Sequence, residues 1–248
     1  MSRQKKILIF TATYNEISNI SKLINNIFLC KIKVDILIID DNSPDGTGKK
    51  VNIIQKKNKR LFLINRKKKL GLDSAHKLAY EFAKTKNYEY LITMDADLSH
   101  DPKEIKNFIS HLDNHHFVIG SRYIPGGKCL MKGRRLLISR YGNKFIKKIL
   151  KVNLTEFTTS YRGFNLKRLG KFNLKEVKTK GYSFFMGTVY EIYKRKYKIK
   201  EIPIIFRDRK KGYSKIPKLE IFRTLKNLIL LSIKDRIFNY GAPTKNRT

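Results

Sequence analysis

Four short apolar runs alternate, over the first 94 residues, with stretches whose apolar residues recur at helical spacing. The apolar runs predict strands at Lys6–Thr11, Asp35–Asp40, Arg60–Asn65 and Tyr88–Met94. The intervening stretches predict helices, one with Ile17, Ile20, Ile24, Ile27 and Phe28, a second with Val51 and Ile54, and a third over Gly71–Lys86. Strands that alternate with helices at this interval indicate a largely parallel sheet with helices on both faces. The pattern therefore predicts the α/β fold class.

Polar clusters follow three of these predicted strands. They are Tyr14–Glu16, Asp40–Asp45 and Asp95–Asp97. In open α/β sheets, ligands bind outside the carboxyl ends of the strands, where these clusters would meet. Their common location predicts a nucleotide site.

The acidic cluster Asp95-Ala96-Asp97 admits two interpretations. Its carboxylates are two residues apart, so on an extended chain they face the same way and could converge on one hard cation. Oxygen ligands of this kind suit Mg or Mn, which take substrate phosphates as further ligands. The alternative is an acidic turn that caps the helix predicted to begin at Pro102.

The second half of the chain contains further predicted elements. They are a strand at His116–Gly120, a basic helix at Gly133–Leu150, an extended segment at Thr158–Asn165, a helix at Ser183–Lys196, a strand at Lys198–Arg207 and a tail helix at Pro217–Lys234. The basic helix has Leu136, Ser139, Asn143 and Ile146 along one stripe. We find no internal repeat.

Composition limits the partners of the chain. A hydrophobic share of 41% with 15 Phe and 13 Tyr indicates a folded protein. The formal net charge of +35 is suited to a nucleic-acid, anionic-membrane or phosphorylated partner. The abundance of Lys, Asn and Ile is also typical of proteins from AT-rich genomes, which could account for the charge.

Cys30 and Cys129 lie far apart, so no disulfide framework or zinc site is indicated. The apolar run Ile7–Phe10 near the N-terminus is too short for a signal peptide core, so we expect no signal peptide. No apolar window reaches the roughly 20 residues of a membrane span, so we expect no such span.

Four motifs stand in order along the chain. They are Thr13-Tyr14-Asn15-Glu16, Asp40-Asp41-Asn42-Ser43-Pro44-Asp45-Gly46-Thr47, Asp95-Ala96-Asp97-Leu98-Ser99-His100 and Gly120-Ser121-Arg122-Tyr123. Together with Glu201-Ile202-Pro203-Ile204, Phe206-Arg207-Asp208-Arg209 and Gly212-Tyr213-Ser214-Lys215, this set resembles the family-2 glycosyltransferases, closest to the dolichol-phosphate or polyprenol-phosphate mannosyltransferases. The resemblance implies a GT-A fold, a Rossmann-like fold that binds nucleotide sugars.

The resemblance also implies an activity, a cofactor and partners. These are an inverting transfer of a sugar from a nucleotide donor, with GDP-mannose expected, to a polyprenyl or dolichyl phosphate, with Mg or Mn as cofactor. A long isoprenoid acceptor requires contact with a bilayer surface. We therefore expect a peripheral protein on the cytoplasmic side of a membrane, and family members without spans of their own can rely on small membrane subunits.

The resemblance assigns roles residue by residue. The donor would be held by Thr13, Tyr14, Glu16, Asp40, Asp41, Asp95, Ala96, Arg209 and Lys215. The metal would be held by Asp95 and Asp97, and the acceptor phosphate by Arg122, Arg135 and Ser139. Asp97, Arg122 and Arg209 would carry the catalysis. An acceptor phosphate is already anionic near neutral pH and needs little or no general base, and arginine suits it through paired N–H donors. Each of these residues has a structural alternative as a turn, cap or surface residue.

Three segments depart from the family pattern. Gly71-Leu72-Asp73 replaces Gly-Leu-Gly, where Asp73 could cap the following helix. Glu156-Phe157-Thr158-Thr159-Ser160-Tyr161-Arg162 replaces a segment that begins with Asp. Phe185-Met186-Gly187 replaces Gln-x-Glu, so sugar identity and acceptor do not carry over directly.

The domain organisation expected is a GT-A domain over residues 1–215, an amphipathic basic helix over 216–240 and a tail over 241–248. In the tail helix, Leu219, Phe222, Leu225, Ile229 and Ile233 recur at helical spacing, while Lys218, Arg223, Lys226 and Lys234 lie on other faces. Such a helix can lie in the headgroup region of a bilayer or pack with its apolar stripe on the sheet.

Two other functions compete with the first. One is a family-2 transferase that uses another nucleotide sugar or a glycan hydroxyl acceptor, which the absence of Glu at residue 187 leaves open. The other is an inactive nucleotide-binding protein or a basic nucleic-acid binder. Against nucleic acid, the chain shows no recognition motif, and its acidic clusters would repel a phosphate backbone.

Overall fold

Strands and helices alternate along the chain in the computed structural model, which describes residues 5–208 and 220–240. The strands are β1 Ile7–Thr13, β2 Asp35–Asp40, β3 Leu61–Asn65, β4 Tyr90–Thr93, β5 Phe117–Ser121, β6 Lys128–Cys129, β7 Arg162–Asn165, β8 Ile199–Pro203 and β9 Ile205–Phe206. The helices are α1 Ile17–Leu29, α2 Thr47–Lys56, α3 Leu72–Thr85, α4 Ile105–Leu112, α5 Gly133–Leu150, α6 Leu166–Leu169, α7 Ser183–Lys194 and α8 Glu220–Tyr240. Short 3-10 turns cover Pro102–Glu104 and Leu174–Glu176.

Seven of the strands form the central sheet, in the order β3-β2-β1-β4-β7-β5-β8. The pairs β3–β2, β2–β1, β1–β4 and β5–β8 are parallel, and β7 is antiparallel to both of its neighbours. Strands β6 and β9 form a separate parallel pair. The predicted α/β class with a mostly parallel sheet is confirmed.

Alternation along β1 shows why helices cover both faces of the sheet. Ile7 and Ile9 lie in one apolar cluster, and Leu8 and Phe10 lie in the other, because successive side chains of a strand point to opposite faces. The first cluster receives α1, α2 and α4, and the second receives α3 and α7 with the inner faces of α5 and α8. Burial on both faces explains why the strands read as continuous apolar runs.

The boundaries of the elements agree closely with the predictions where the apolar residues recur with a clear helical period. Helix α5 has the predicted bounds. The predicted strand Lys198–Arg207 is two strands, because the chain leaves the central sheet after Pro203 and Ile205 pairs with β6 instead. Of the predicted extended segment Thr158–Asn165, only the last four residues form a strand.

His76 of α3 is buried among aromatic rings. Its ring centroid lies 5.0 Å from that of Phe10, 5.7 Å from that of Phe184 and 5.1 Å from that of Phe185. Burial lowers the pKa of His76 to about 3, so the imidazole is neutral near pH 7. This histidine belongs to the core.

Helix α8 packs on α5 and α7 through a face other than the predicted stripe. Leu228 is 2% exposed and joins the core, whereas the stripe residues Leu225, Ile229 and Ile233 are 42%, 49% and 47% exposed. The alternative that this stripe packs on the sheet is therefore wrong for these three residues, and the side chains of Leu219 and Phe222 lie outside the described part. Within the described ranges, no helix combines the length and apolarity that crossing a bilayer requires.

Candidate active site

The carboxyl ends of three neighbouring strands meet at one wall of the site. The register places Thr13 beside Asp40 and Asp40 beside Asn65. The Asp40 carboxylate accepts hydrogen bonds from Thr13 Oγ1 at 2.7 Å, from the Ser43 amide at 2.8 Å and from Ser43 Oγ at 2.6 Å. Asp40 therefore holds the loop after β2 against the end of β1.

Gly48 allows α2 to approach this wall closely. A Cβ at residue 48 would lie 2.6 Å from Asn65 Oδ1 and 3.2 Å from Asp40 Oδ2. A larger residue there would require the side chains of Asn65 and Asp40 to shift, so this glycine shapes the wall.

Asp41 has a different set of donors. It forms a buried ion pair with Arg66 and accepts from the amides of Leu70 at 3.2 Å and Gly71 at 3.1 Å. Lys69, in the same loop, lies over the ring of Tyr14 at 3.9 Å from its centroid. The structure thus brings Tyr14 and Asp41 together with a basic loop, and Asp41 fixes the position of that loop.

Glu16 and Asp45 organise the start of α1. Glu16 is 9% exposed, and its Oε2 accepts from Asn19 at 2.9 Å. Its amide donates to Thr47 Oγ1, and the amide of Ile17 donates to Asp45 Oδ2 at 3.0 Å. The first two polar motifs therefore form one hydrogen-bonded unit, as their positions at the carboxyl ends of the predicted strands indicated.

The acidic motif follows β4. The side chain of Asp95 is 35% exposed, and Asp97 is 6% exposed. Ala96 between them is buried. Asp97 Oδ1 accepts from Ser99, from its amide at 3.1 Å and from its hydroxyl at 2.6 Å. Leu98 has a φ of +64°, which a branched side chain rarely adopts, so the loop is held in a strained turn.

The capping interpretation applies to another residue of this motif. Asp101 Oδ1 accepts from the Lys103 amide at 3.0 Å at the start of the 3-10 turn, and Asp101 Oδ2 accepts from Arg207 at 3.0 Å. Asp95 and Asp97 are not the cap, which leaves them for another role.

His100 is buried directly beneath the acidic motif. It is 1% exposed, and its Nδ1 accepts a hydrogen bond from the Asp95 amide at 3.0 Å. Burial lowers the pKa of His100, although the charges of Asp95 and Asp97 act in the opposite direction. The structure therefore makes this histidine a buried support of Asp95.

Arg122 follows β5 and is buried against Glu156. Its Nε and Nη2 donate to the two carboxylate oxygens of Glu156 at 2.7 and 2.8 Å, and Nη2 also donates to Thr158 Oγ1 at 2.8 Å. Burial would raise the pKa of Glu156, but the charge and hydrogen bonds of Arg122 and the donors of Thr158 hold that pKa below its ordinary value. The hydrogen bonds of Arg122 within the described part of the chain use Nε and Nη2, and none of them uses Nη1.

Residues 156–160, here called the bridging segment, connect Arg122 to the acidic motif. At one end Glu156 holds Arg122, and at the other Ser160 Oγ donates to Asp95 Oδ1 at 2.5 Å. Arg162 clamps the segment, since it donates to the carbonyls of Phe157 at 2.9 Å and Thr159 at 2.7 Å. Burial lowers the pKa of Arg162 to about 9.

The other predicted acceptor residues lie at the start of α5. Arg135 is half exposed and donates to Asp208 at 3.1 Å, and Ser139 Oγ accepts from the Tyr123 hydroxyl at 2.7 Å. Tyr123 follows Arg122 directly, so the structure brings Ser139 close to the Arg122 loop. Arg209 and Lys215 lie outside the described residues.

The departures at Asp73 and Gly187 have structural consequences. Asp73 accepts from the Gly181 amide at 3.0 Å, and α3 has no side-chain cap, so the capping prediction is wrong. A Cβ at Gly187 would lie 2.0 Å from Oγ1 of Thr179. The space into which a side chain at residue 187 would extend is filled by Thr179, whose hydroxyl has no hydrogen-bond partner among residues 5–208 and 220–240.

A divalent cation fits the donor chemistry of the acidic motif. Asp95 offers a partly exposed carboxylate and Asp97 a buried one, and hard cations prefer such oxygens. The described residues contain no group of three His, Cys, Asp or Glu suited to hold a metal. Mg and Mn tolerate two protein carboxylates because substrate phosphates and water complete their coordination.

Sequence reasoning missed four residues of the site: Arg66, His100, Glu156 and Ser160. Arg66 directly follows β3, so its position at the sheet edge was a usable signal. A buried Arg122 requires a carboxylate partner, but only packing selects Glu156 for that role.

Solved structures with similar architecture identify the fold of the protein. A mannosyltransferase from Pyrobaculum calidifontis, in complex with GDP-Man and Mn2+, aligns with a TM-score of 0.60 and 18% identity over 98% of this chain and 67% of that chain. Glucosyl-3-phosphoglycerate synthase from Mycobacterium tuberculosis, in complex with Mn2+, UDP and glucosyl-3-phosphoglycerate, aligns with a TM-score of 0.64 and 14% identity over 93% and 79%. The fold is that of the GT-A glycosyltransferases.

Sequence comparison identifies the family. Residues 8–171 match the model of glycosyl transferase family 2. The chain is 32% identical to polyprenol monophosphomannose synthase of Mycolicibacterium smegmatis, over 86% of this chain and 81% of that protein. It is 31% identical to undecaprenyl-phosphate mannosyltransferase of Micrococcus luteus, over 85% and 87%. The chain belongs to glycosyl transferase family 2, and it is a glycosyltransferase.

Proposed function

We propose that the protein transfers mannose from GDP-mannose to the phosphate of a polyprenyl or dolichyl lipid. The observation that carries this proposal is the bridging segment, which joins Asp95 to Arg122 within five residues. A group suited to a metal-bound diphosphate therefore lies near a group suited to an acceptor phosphate. The two relatives named above act, by their names, in mannosyl transfer to polyprenyl phosphates, which supports the same donor sugar and acceptor class.

The proposed reaction is one displacement at the anomeric carbon. An oxygen of the acceptor phosphate forms the new bond, the bond from the anomeric carbon to the diphosphate breaks, and the nucleoside diphosphate leaves with the electron pair. One displacement inverts the anomeric configuration. The phosphate is already anionic, so no buried base is required. A divalent cation, held by Asp95 and Asp97, would offset the charge that develops on the leaving diphosphate.

Charged residues of the chain would orient the two substrates. Tyr14, Glu16 and the loops held by Asp40 and Asp41 form the nucleotide side. Arg122 would present its remaining nitrogen to the acceptor phosphate, with Arg135 and Ser139 beside it. Arg209 and Lys215 would contact the donor phosphates. Arginine suits this role because its N–H donors form a fixed fork.

A donor and acceptor panel tests the proposal. Purified protein is incubated with Mn2+ or Mg2+, labelled GDP-mannose, UDP-glucose or UDP-N-acetylglucosamine, and either a short polyprenyl phosphate or the same lipid as an alcohol. We expect transfer from GDP-mannose to the phosphate alone, with an inverted anomeric carbon by NMR. Transfer from a UDP-sugar, or to the alcohol, would replace this proposal with the second transferase function, which the filled space at Gly187 also favours.

We further propose that the protein attaches peripherally to an anionic membrane through α5 and α8. Helix α5 contains six Arg and Lys and no Asp or Glu. It exposes four large apolar side chains at 47–62%: Leu137, Ile138, Tyr141 and Phe145. Near its C-terminal end, a shallow cavity of about 380 Å³ is lined by Lys144, Lys147, Lys148 and Lys151. Apolar side chains ringed by basic ones match the headgroup region of an anionic bilayer.

Flotation with liposomes tests this attachment. We expect the protein to co-float with phosphatidylglycerol-containing vesicles at low salt and less at high salt, because salt screens surface charges. The double variant Leu137→Ser/Ile138→Ser should lose most of this binding. The matched control Ile53→Ser, at a site that is 57% exposed on α2, should keep it. Equal flotation of both variants would contradict the role of α5.

A further inference from the structure

Two hydrogen bonds hold Asp95 in place, one through its backbone and one through its carboxylate. Its backbone amide donates to His100 Nδ1 at 3.0 Å, and its Oδ1 accepts from Ser160 Oγ at 2.5 Å. The first contact fixes the backbone after β4, and the second fixes the direction of the carboxylate. Asp95 remains partly exposed despite both contacts.

His100 is itself packed rigidly. Its ring stacks on Tyr161 with centroids 4.8 Å apart and meets Phe206 edge-on at 5.4 Å. The Tyr161 hydroxyl donates to the carbonyl of Asp101 at 2.9 Å, which ties this ring to the same acidic loop. With Nδ1 accepting, the neutral ring carries its proton on Nε2, which lies 3.4 Å from Thr159 Oγ1.

Ser160 is equally constrained. It is 4% exposed, and its backbone carbonyl accepts from the hydroxyl of Thr93, the last residue of β4. The strand that leads into Asp95 therefore also positions the serine that holds it. Arg162 anchors the same segment from the other side by its bond to the Thr159 carbonyl.

We propose that His100 and Ser160 are positioning residues for Asp95, which set its carboxylate before a nucleoside diphosphate and its divalent cation bind. This inference rests on the proposed role of Asp95 as a metal-binding residue. Groups that hydrogen-bond a metal ligand from behind reduce the reorganisation that binding requires, and their loss commonly lowers metal affinity about 10–100-fold. Neither residue needs to touch the metal or the sugar for this effect.

Mn2+ binding measured by EPR in the presence of GDP tests the inference without a turnover assay. We expect Ser160→Ala and His100→Leu to raise the Kd for Mn2+ about 10–100-fold. Ser160→Thr keeps a hydroxyl and His100→Asn keeps an acceptor near Nδ1, so both should restore most of the affinity. Thr188→Val removes a buried hydroxyl that bonds the carbonyl of Phe184 within α7, and it should bind Mn2+ as the parent protein does.

The outcomes separate this inference from the proposed function. If Asp97→Ala loses Mn2+ while Ser160→Ala binds it like the parent protein, the positioning role is overturned and the metal site stands. If Thr188→Val weakens binding as much as Ser160→Ala, the effect is general destabilisation, and the positioning role is overturned. If the parent protein shows no GDP-dependent Mn2+ binding, the metal role in the proposed function fails and this inference falls with it. Thermal unfolding of each variant identifies those that do not fold, and Ser160→Ala, which removes one oxygen, is the decisive variant.

Discussion

In the proposed transfer of mannose, the Asp97→Ala variant is expected to be about 10²–10³-fold slower than the parent protein, since a group that stabilises developing charge contributes on that order. Asp97 is 6% exposed and accepts two hydrogen bonds from Ser99, so its carboxylate is already oriented before substrate binds. Removal of this carboxylate takes away one of the two proposed protein ligands for the divalent cation. Single-turnover rates at saturating lipid phosphate would measure the change.

Asp101→Ala is the matched control in the same acidic motif. Asp101 caps the 3-10 turn and pairs with Arg207, so its loss should cost about 1 kcal/mol of stability while leaving most of the transfer rate. Equal rates for Asp97→Ala and the parent protein would contradict the metal role of Asp97. An equal loss in both variants would show that the motif acts through its fold alone.

The second large effect is expected at the buried pair of Arg122 and Glu156. Glu156 is 0% exposed, and Arg122→Ala would leave its charge buried without a partner. Loss of one member of such a pair costs about 3–5 kcal/mol in the free energy of unfolding. Urea denaturation of Arg122→Ala and Glu156→Ala should show losses of this size.

A double variant separates the structural role of Arg122 from its proposed role in binding the acceptor. Arg122→Met/Glu156→Gln removes both charges but keeps an oxygen that can accept from the amides of Thr158 and Thr159, so it should regain most of the stability that either single variant loses. It should not regain transfer, because the proposed donors to the acceptor phosphate are gone. Charged hydrogen bonds of this kind contribute about 1.5–3 kcal/mol, or roughly tenfold and more in KM for the lipid. A double variant that transfers at the parent rate would show that Arg122 acts only as the partner of Glu156.

Arg135→Ala provides the comparison at an exposed position. Its ion pair with Asp208 has both side chains 43–50% exposed, so stability should change by no more than about 0.5 kcal/mol. A rise in KM for the lipid phosphate is still expected if Arg135 contacts the acceptor. The contrast with Arg122 distinguishes a buried structural arginine from a surface one.

Local periodicity explains how much of the fold could be predicted. Helix α5 has the predicted bounds because its inward stripe repeats at helical spacing, and Asn143 and Ile146 are buried as that stripe requires. The carboxyl ends of β1 and β2 meet where the polar motifs indicated. Predictions were poorer where pairing rather than periodicity decides, as in the division of the last strand into β8 and β9.

The candidate site was predictable only in part. Motif order along the chain located the acidic motif and the polar clusters at the strand ends. It did not indicate that His100 and Ser160 hold Asp95, that Arg66 holds Asp41, or that Thr179 fills the space beside Gly187. Each of these contacts joins groups whose spacing in sequence carries no periodic signal.

The sequence by itself determined the α/β class, the largely parallel character of the sheet and the family, because the apolar period and the short motifs are local properties of the chain. Only the tertiary structure decided which carboxylate pairs with Arg122, since many acidic residues could serve and packing brings just Glu156 to it. It also decided that Leu225, Ile229 and Ile233 of α8 face outward, because Leu228 on another face packs into the core. Long-range contacts depend on how complete elements pack together, and no single stretch of sequence encodes them.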